Sequence, residues 1–262
     1  MPPHREIFSV TMSAISRLFA FRERALGRVG LGHRGGAATG IVSLHQPIQS
    51  GGNLLDAVFV EPDDAPPHSA VLLCHGIGEV VDQWFPVQCL LAQHGTASMI
   101  FDYSGYGHSP GEANWTQWED DTVAAFESLQ RLVHPMPASI LGFSMGTGIA
   151  AAVIRRIPAH RLVLCAVCTS FREGAHACGL PAFLLPLVPP IWNAVETLAD
   201  CPVPVLVVQG EKDKLFPVQM ARDLAALPLK SRLITISNLG HSEPFQKPNI
   251  SYWGHIVRFL AD

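Results

Sequence analysis

Apolar residues along this chain fall largely into short unbroken runs. Residues 70–74, 97–101, 138–141, 162–165, 203–208 and 233–236 each read as near-continuous apolar stretches. A run of that kind suits a strand buried on both faces rather than on one. Between the runs, residues 83–93, 118–132, 147–154, 217–226 and 252–260 read as helices. Strands alternating with helices predict an α/β architecture, a mainly parallel central sheet with helices on both faces. Residues 41–44 and 54–60 read as two earlier strands around Gln49-Ser50-Gly51-Gly52-Asn53, a hairpin-like opening. Glu119, Asp120 and Asp121 read as an acidic start to the second helix, favourable at the positive end of its dipole.

Two stretches depart from this rhythm. Residues 171–200 lie between two strands and are too long and too apolar for a plain loop, so they read as a short cap inserted into the domain. Residues 1–36 carry Arg5, Arg17, Arg22, Arg24, Arg28 and Arg34, with Ile7, Val10, Ala14, Leu18, Phe21 and Ala25 at helical spacing. Three readings stay open for this Arg-rich extension: a helix docked on the body, a weak membrane-surface contact, or a targeting segment. Residues 37–262 then form the main domain.

Composition narrows the picture. The chain has 262 residues, 48% hydrophobic and 15% charged, which suits one large domain with a substantial core. A net charge of −4 gives no basic surplus, so no nucleic acid is expected as a partner. No uninterrupted apolar segment approaches the roughly 18–20 residues of a membrane span, and no secretory signal stands out. Cys74, Cys89, Cys165, Cys168, Cys178 and Cys201 read as thiols of a reducing compartment, which points to the cytoplasm. Cys165-x-x-Cys168 has no second pair to complete a metal site, and a bridge between Cys178 and Cys201 stays open. Neither a metal nor an organic cofactor is expected.

The candidate chemistry centres on Gly142-Phe143-Ser144-Met145-Gly146, with a strand before it and a helix after it. A serine on so sharp a turn is presented as a nucleophile, and side chains at the two flanking glycines would collide with the neighbouring strand and helix. Gly148, Ala150, Ala151 and Ala152 would let the helix pack close to the sheet. A hydroxyl needs a base and a group that orients the base. His241 follows the strand at 233–236 and Asp213 follows the strand at 203–208, so all three residues leave strands at the same sheet edge. Glu211 is the nearest competitor of Asp213, and Glu243 lies too close to His241 in the chain to orient it. His75-Gly76-Ile77-Gly78 follows another strand, and its glycines let backbone approach a substrate. The N–H groups of Ile77 and Met145 are the candidate oxyanion donors, with His75 bracing the loop. Asp102-Tyr103-Ser104-Gly105-Tyr106-Gly107-His108-Ser109 is either a structural turn or a loop shaping the pocket. Trp84, Trp115 and Trp192 are candidates for either pocket or core.

These motifs, in this order, resemble the α/β-hydrolase superfamily over roughly residues 40–262. The resemblance is greatest to small-capped serine hydrolases: the serine-aminopeptidase-like, monoacylglycerol-lipase-like and acyl-protein-thioesterase-like branch. It implies hydrolysis of a small-molecule carboxylic ester or thioester through an acyl-enzyme on Ser144, with His241 as base and Asp213 as orienter. A peptidase or amidase of the same fold, and a ligand-binding module without turnover, are the alternatives. Members of this branch often carry arginine where Ser104 stands, so a loop ion pair is expected to be missing. Dehalogenases and epoxide hydrolases of the fold use an aspartate at the elbow, and Ser144 argues against both.

Overall fold

The unbroken apolar runs become the interior of one eight-stranded sheet in a computed structural model that describes residues 40–262. The Arg-rich extension at 1–36 lies outside the described residues. The strands are β1 (Ile41–His45), β4 (Ala57–Pro62), β5 (Ser69–Cys74), β6 (Thr96–Phe101), β7 (Ala138–Phe143), β8 (Leu162–Cys165), β9 (Val205–Gly210) and β10 (Ser231–Ile236). Their spatial order is β1-β4-β6-β5-β7-β8-β9-β10. The first two pairings are antiparallel and the remaining five are parallel. β7 therefore sits mid-sheet, while β10 closes one edge and is only half-buried.

Alternation along each strand sorts side chains between two cores. Ala70, Leu72 and Cys74 face helices α2 (Trp115–Val133) and α3 (Met145–Val153), with Trp118, Phe126 and Ile149 among their neighbours. Val71 and Leu73 face α1 (Val81–Gln93) and the C-terminal helix Ile250–Ala261, with Trp84 and Trp253 among theirs. Both faces of the sheet are thus covered, which is the condition under which continuous apolar strands are stable.

The strand expected over 54–60 is two strands. β3 (Asn53–Leu55) pairs with β2 (Ile48–Ser50) in a small separate hairpin, and β4 starts only at Ala57. Asp56 makes the break. Its N–H donates to Ser109 Oγ, its carbonyl accepts from Asp102 N–H, and its carboxylate pairs with His45 at 2.6 Å. A residue committed to those partners cannot continue either ladder.

The acidic start expected for the second helix is also corrected. α2 begins at Trp115, where Asn114 Oδ1 accepts from the N–H groups of Thr116 and Gln117. Glu119, Asp120 and Asp121 therefore fall in the second turn, beyond reach of the free N–H groups. Asp121 is instead a buried hub. It accepts from Ser50 Oγ at 2.6 Å, Gln117 Nε2 at 2.8 Å and the Ser104 N–H at 2.7 Å, tying hairpin and loop to α2. Asp121→Ala leaves the buried Ser50 hydroxyl and Ser104 N–H without this acceptor and is expected to cost about 3 kcal/mol. The expected drop in Tm is roughly 6–12 °C, measurable by thermal unfolding.

Residues 171–200 form α4 (Phe171–Ala177), a 3₁₀ turn (Ala182–Leu187) and α5 (Ala194–Ala199). None of the 3₁₀ residues is buried, and Phe183 is 78% exposed. All six cysteines are free thiols, so Cys178 and Cys201 are not bridged. No helix among the described residues is long and apolar enough to cross a membrane.

Candidate active site

Ser144 occupies the junction between β7 and α3 with φ 53° and ψ −119°, a left-handed conformation that a side chain rarely adopts. The turn is tight on both sides. A β-carbon at Gly142 would stand 2.4 Å from the Gly146 carbonyl oxygen, and one at Gly146 would stand 2.0 Å from the Cys74 carbonyl oxygen. Both glycines are therefore sterically required. Gly148 has a different role from the one expected. Its open side faces Trp192, whose Cβ would be 2.9 Å from an added carbon, so it admits the cap rather than the sheet.

The structure brings Ser144, His241 and Asp213 together. His241 Nε2 lies 3.0 Å from Ser144 Oγ, and His241 Nδ1 lies 2.8 Å from Asp213 Oδ2. Asp213 is held from the other side as well. Its Oδ1 accepts from the N–H groups of Leu215 and Phe216 at 2.9 and 2.8 Å, and Gln209 Nε2 donates to Oδ2 at 2.9 Å. Burial alone would raise this carboxyl. The hydrogen bonds from His241, Phe216 and Leu215 and the attraction of the imidazole outweigh it and hold Asp213 below its ordinary value. Phe143 and Phe216 flank the imidazole at 5.7 and 5.1 Å between ring centres.

The competitors lie elsewhere. Glu211 accepts from Thr235 and Ser237, and Glu243 accepts from the Gly240 N–H. His75 is fully buried, its Nδ1 2.8 Å from the Gly76 carbonyl oxygen, and burial pushes its ring down to about 4. It is a neutral brace at neutral pH. The 102–109 loop is a structural turn. Asp102 accepts from the Val81 and His108 N–H groups, and Tyr103 and Tyr106 pack on His75 and Trp118. Ser104 accepts from Asn53 Nδ2 and donates its N–H to Asp121. At that position the loop is tied down by hydrogen bonds to the Asn53 amide and the buried Asp121 carboxylate.

Ile77 and Met145 both border an open cleft beside Ser144. Met145 is the first residue of α3, where backbone N–H groups have no partner within the helix. The remaining walls are apolar or small, including Phe171 and Ala175 from α4, Trp192, Leu215 and Phe216. Trp192 thus lines the cleft, whereas Trp84 is wholly core and Trp115 nearly so. Two supporting residues escaped the reading of the sequence. Gln209 is fully buried in β9 and also accepts from the Val167 N–H, and its signal was a polar residue at the end of an apolar run. Glu79 is buried next to the Gly76 loop, with an acidic residue just past a glycine turn as its only signal.

This arrangement can withdraw a proton from Ser144 through an imidazole whose far nitrogen faces a carboxylate. Residues 65–197 match the family described as serine aminopeptidase, S33. The chain belongs to that family. The match takes in Ile77, Ser144 and Met145 and ends before Asp213 and His241. Individual proteins and solved structures are similar over a larger share of the chain. The chain is 30% identical over 239 residues to the uncharacterised protein Rv2307c of Mycobacterium tuberculosis, covering 82% of this chain and 84% of that one. It is 26% identical over 228 residues to the lysophosphatidylserine lipase ABHD12 of Danio rerio, covering 78% of this chain and 58% of that one. The solved structure of the Pyrococcus furiosus esterase Pf2001 superposes with a TM-score of 0.66 at 18% identity, covering 83% of this chain and 90% of that chain. The architecture is the α/β-hydrolase fold.

Proposed function

We propose that this protein is a serine hydrolase of carboxylic esters or thioesters that works through an acyl-enzyme. One observation carries the reading: His241 spans Ser144 and Asp213 at 3.0 and 2.8 Å, at the edge of an apolar cleft. In this mechanism His241 Nε2 takes the Ser144 proton as Oγ bonds to the acyl carbon. The carbonyl electrons move onto oxygen, where the N–H groups of Ile77 and Met145 receive the charge. Each such donor contributes about 3–4 kcal/mol to a transition state of this kind. The imidazolium, held by Asp213, then gives its proton to the departing alcohol or thiol. Water activated by the same imidazole releases the acid and restores Ser144.

The cleft's apolar lining suits a single acyl chain. The relation to proteins named lysophosphatidylserine lipases is in keeping with a single-chain acyl ester as substrate. The family's description as an aminopeptidase supports a second reading, an amidase of the same mechanism. A panel of p-nitrophenyl esters and acyl thioesters of graded chain length, run beside aminoacyl anilides, separates the two. Turnover of esters or thioesters with little on the anilides is the expected result. Cleavage of anilides alone would sink the ester reading.

A further inference from the structure

Three residues beyond Gly76, the chain buries a carboxyl group that the steps above do not use. Glu79 Oε2 accepts from the Gly76 N–H at 2.7 Å and from the Trp84 indole N–H at 3.0 Å. Trp84 is fully buried on α1 against Phe143, Phe245 and Trp253. The carboxyl is thereby fastened to a rigid wall, and the loop is fastened to the carboxyl. The next peptide is held as well, because His75 Nδ1–H donates to the Gly76 carbonyl. A trans peptide carries its C=O and N–H on opposite edges. With the Gly76 carbonyl drawn to His75, the Ile77 N–H points the other way, and Ile77 lines the cleft that it shares with Ser144. A β-carbon at Gly76 would stand 3.1 Å from Ser144 Cβ and 3.1 Å from Glu79 Oε1, so only a glycine separates the carboxyl from the nucleophile.

We propose that Glu79 is a positioning residue for acyl transfer, clamping the Gly76 amide to the Trp84 indole and so holding the Ile77 N–H on the developing oxyanion. The inference rests on the serine-hydrolase reading above. Burial raises the Glu79 carboxyl to about 7, against the pull of the Gly76 and Trp84 N–H groups. Below that pH the neutral acid clamps the loop without adding charge. Above it, a carboxylate stands beside the oxyanion and opposes it. The other ionisable groups nearby are neutral His75 on the same loop, Tyr103 with its phenol pushed well above its ordinary value, and His241 across Ser144. Asp102, 3.9 Å from His75, is also raised to about 7 by burial, so only a Glu79 variant separates the two carboxyls.

The test is steady-state kinetics of the full chain on an ester that the wild type hydrolyses. Glu79→Ala is expected to lower kcat about 10- to 100-fold, with KM changed by less than about twofold. Glu79→Gln keeps an acceptor oxygen for both N–H groups. At pH 6 it should recover kcat to within about threefold of wild type, and it should lose the wild-type decline above pH ~7. The Trp84 indole N–H resonance should titrate with a midpoint of about 7 in the wild type and stay flat in Glu79→Gln. Wild-type kcat in Glu79→Ala, no recovery in Glu79→Gln, or an indole resonance that does not titrate would each overturn the clamp. If Glu79→Ala does not fold, Trp84→Phe removes one donor while leaving an aromatic ring, though a smaller one, at that position, and an unchanged kcat there overturns it equally. Labelling of wild-type Ser144 by a fluorophosphonate tells the two readings apart. An unlabelled wild type removes both, whereas a labelled one indifferent to Glu79 removes only the clamp.

Discussion

Ser144→Ala is expected to lower kcat by about 10⁵- to 10⁶-fold on any ester the wild type hydrolyses, and to abolish fluorophosphonate labelling. The size follows from what the substitution removes. The left-handed turn, the flanking glycines and the helix start are unaffected by losing one oxygen, because the Ser144 N–H still donates to the Cys165 carbonyl and its own carbonyl still accepts from Thr147. Fold and binding survive while the acyl-accepting atom is gone. What persists is the modest acceleration from oxyanion donors and orientation, about 10³–10⁴ over water in enzymes of this type. Mass spectrometry of probe-treated wild type and variant reads the result directly. Equal labelling of both proteins would remove Ser144 from the chemistry, as would a variant that turns over at the wild-type rate.

Asp213→Asn is expected to give the second large effect, a loss of about 10⁴ in kcat with a small change in KM. The carboxylate accepts at four points: Leu215 N–H and Phe216 N–H on Oδ1, Gln209 Nε2 and His241 Nδ1 on Oδ2. An asparagine can keep its oxygen towards the two backbone donors, but its amide then faces Gln209 and His241 with hydrogens. The imidazole turns to the tautomer that carries its proton on Nε2, and that nitrogen can no longer accept from Ser144. A stability signature accompanies the kinetic one. Asp213 is held below its ordinary value in the folded chain, so its ionisation favours folding above the carboxylate range. That contribution is lost as pH falls through the lowered value. The wild-type Tm should therefore exceed that of Asp213→Asn at neutral pH and converge on it in acid, as thermal melts over a pH series would record. A Tm difference that widens in acid would contradict the assignment.

Particular residues explain why some of this was readable from the sequence and some was not. Ser144, Asp213 and His241 each follow an apolar run, and parallel strands deliver their C-terminal ends to one edge. Position along the chain therefore stood in for position in space. Asp56 and Asp121 had no such marker. Each is a single acid whose importance lies in partners 50 or more residues away, Ser109 and Ser50, and periodicity does not register pairing at that distance. The start of α2 was missed because Asn114 caps it just ahead of Trp115, while the more conspicuous acids lie a turn later. Gly148 looked like a packing contact with the sheet because the cap was unreadable. Only with Trp192 in place does its open side have an occupant.

The relay joins strands of unequal security. Ser144 leaves β7, whose every residue is buried and which has partners on both sides, whereas His241 follows β10, a half-buried strand paired, among the described residues, only with β9. Local opening costs least at such an edge and most at the centre. On warming, the imidazole would thus be the first member of the relay to stray, and heat inactivation would be governed by the rim of the sheet while its middle stayed intact.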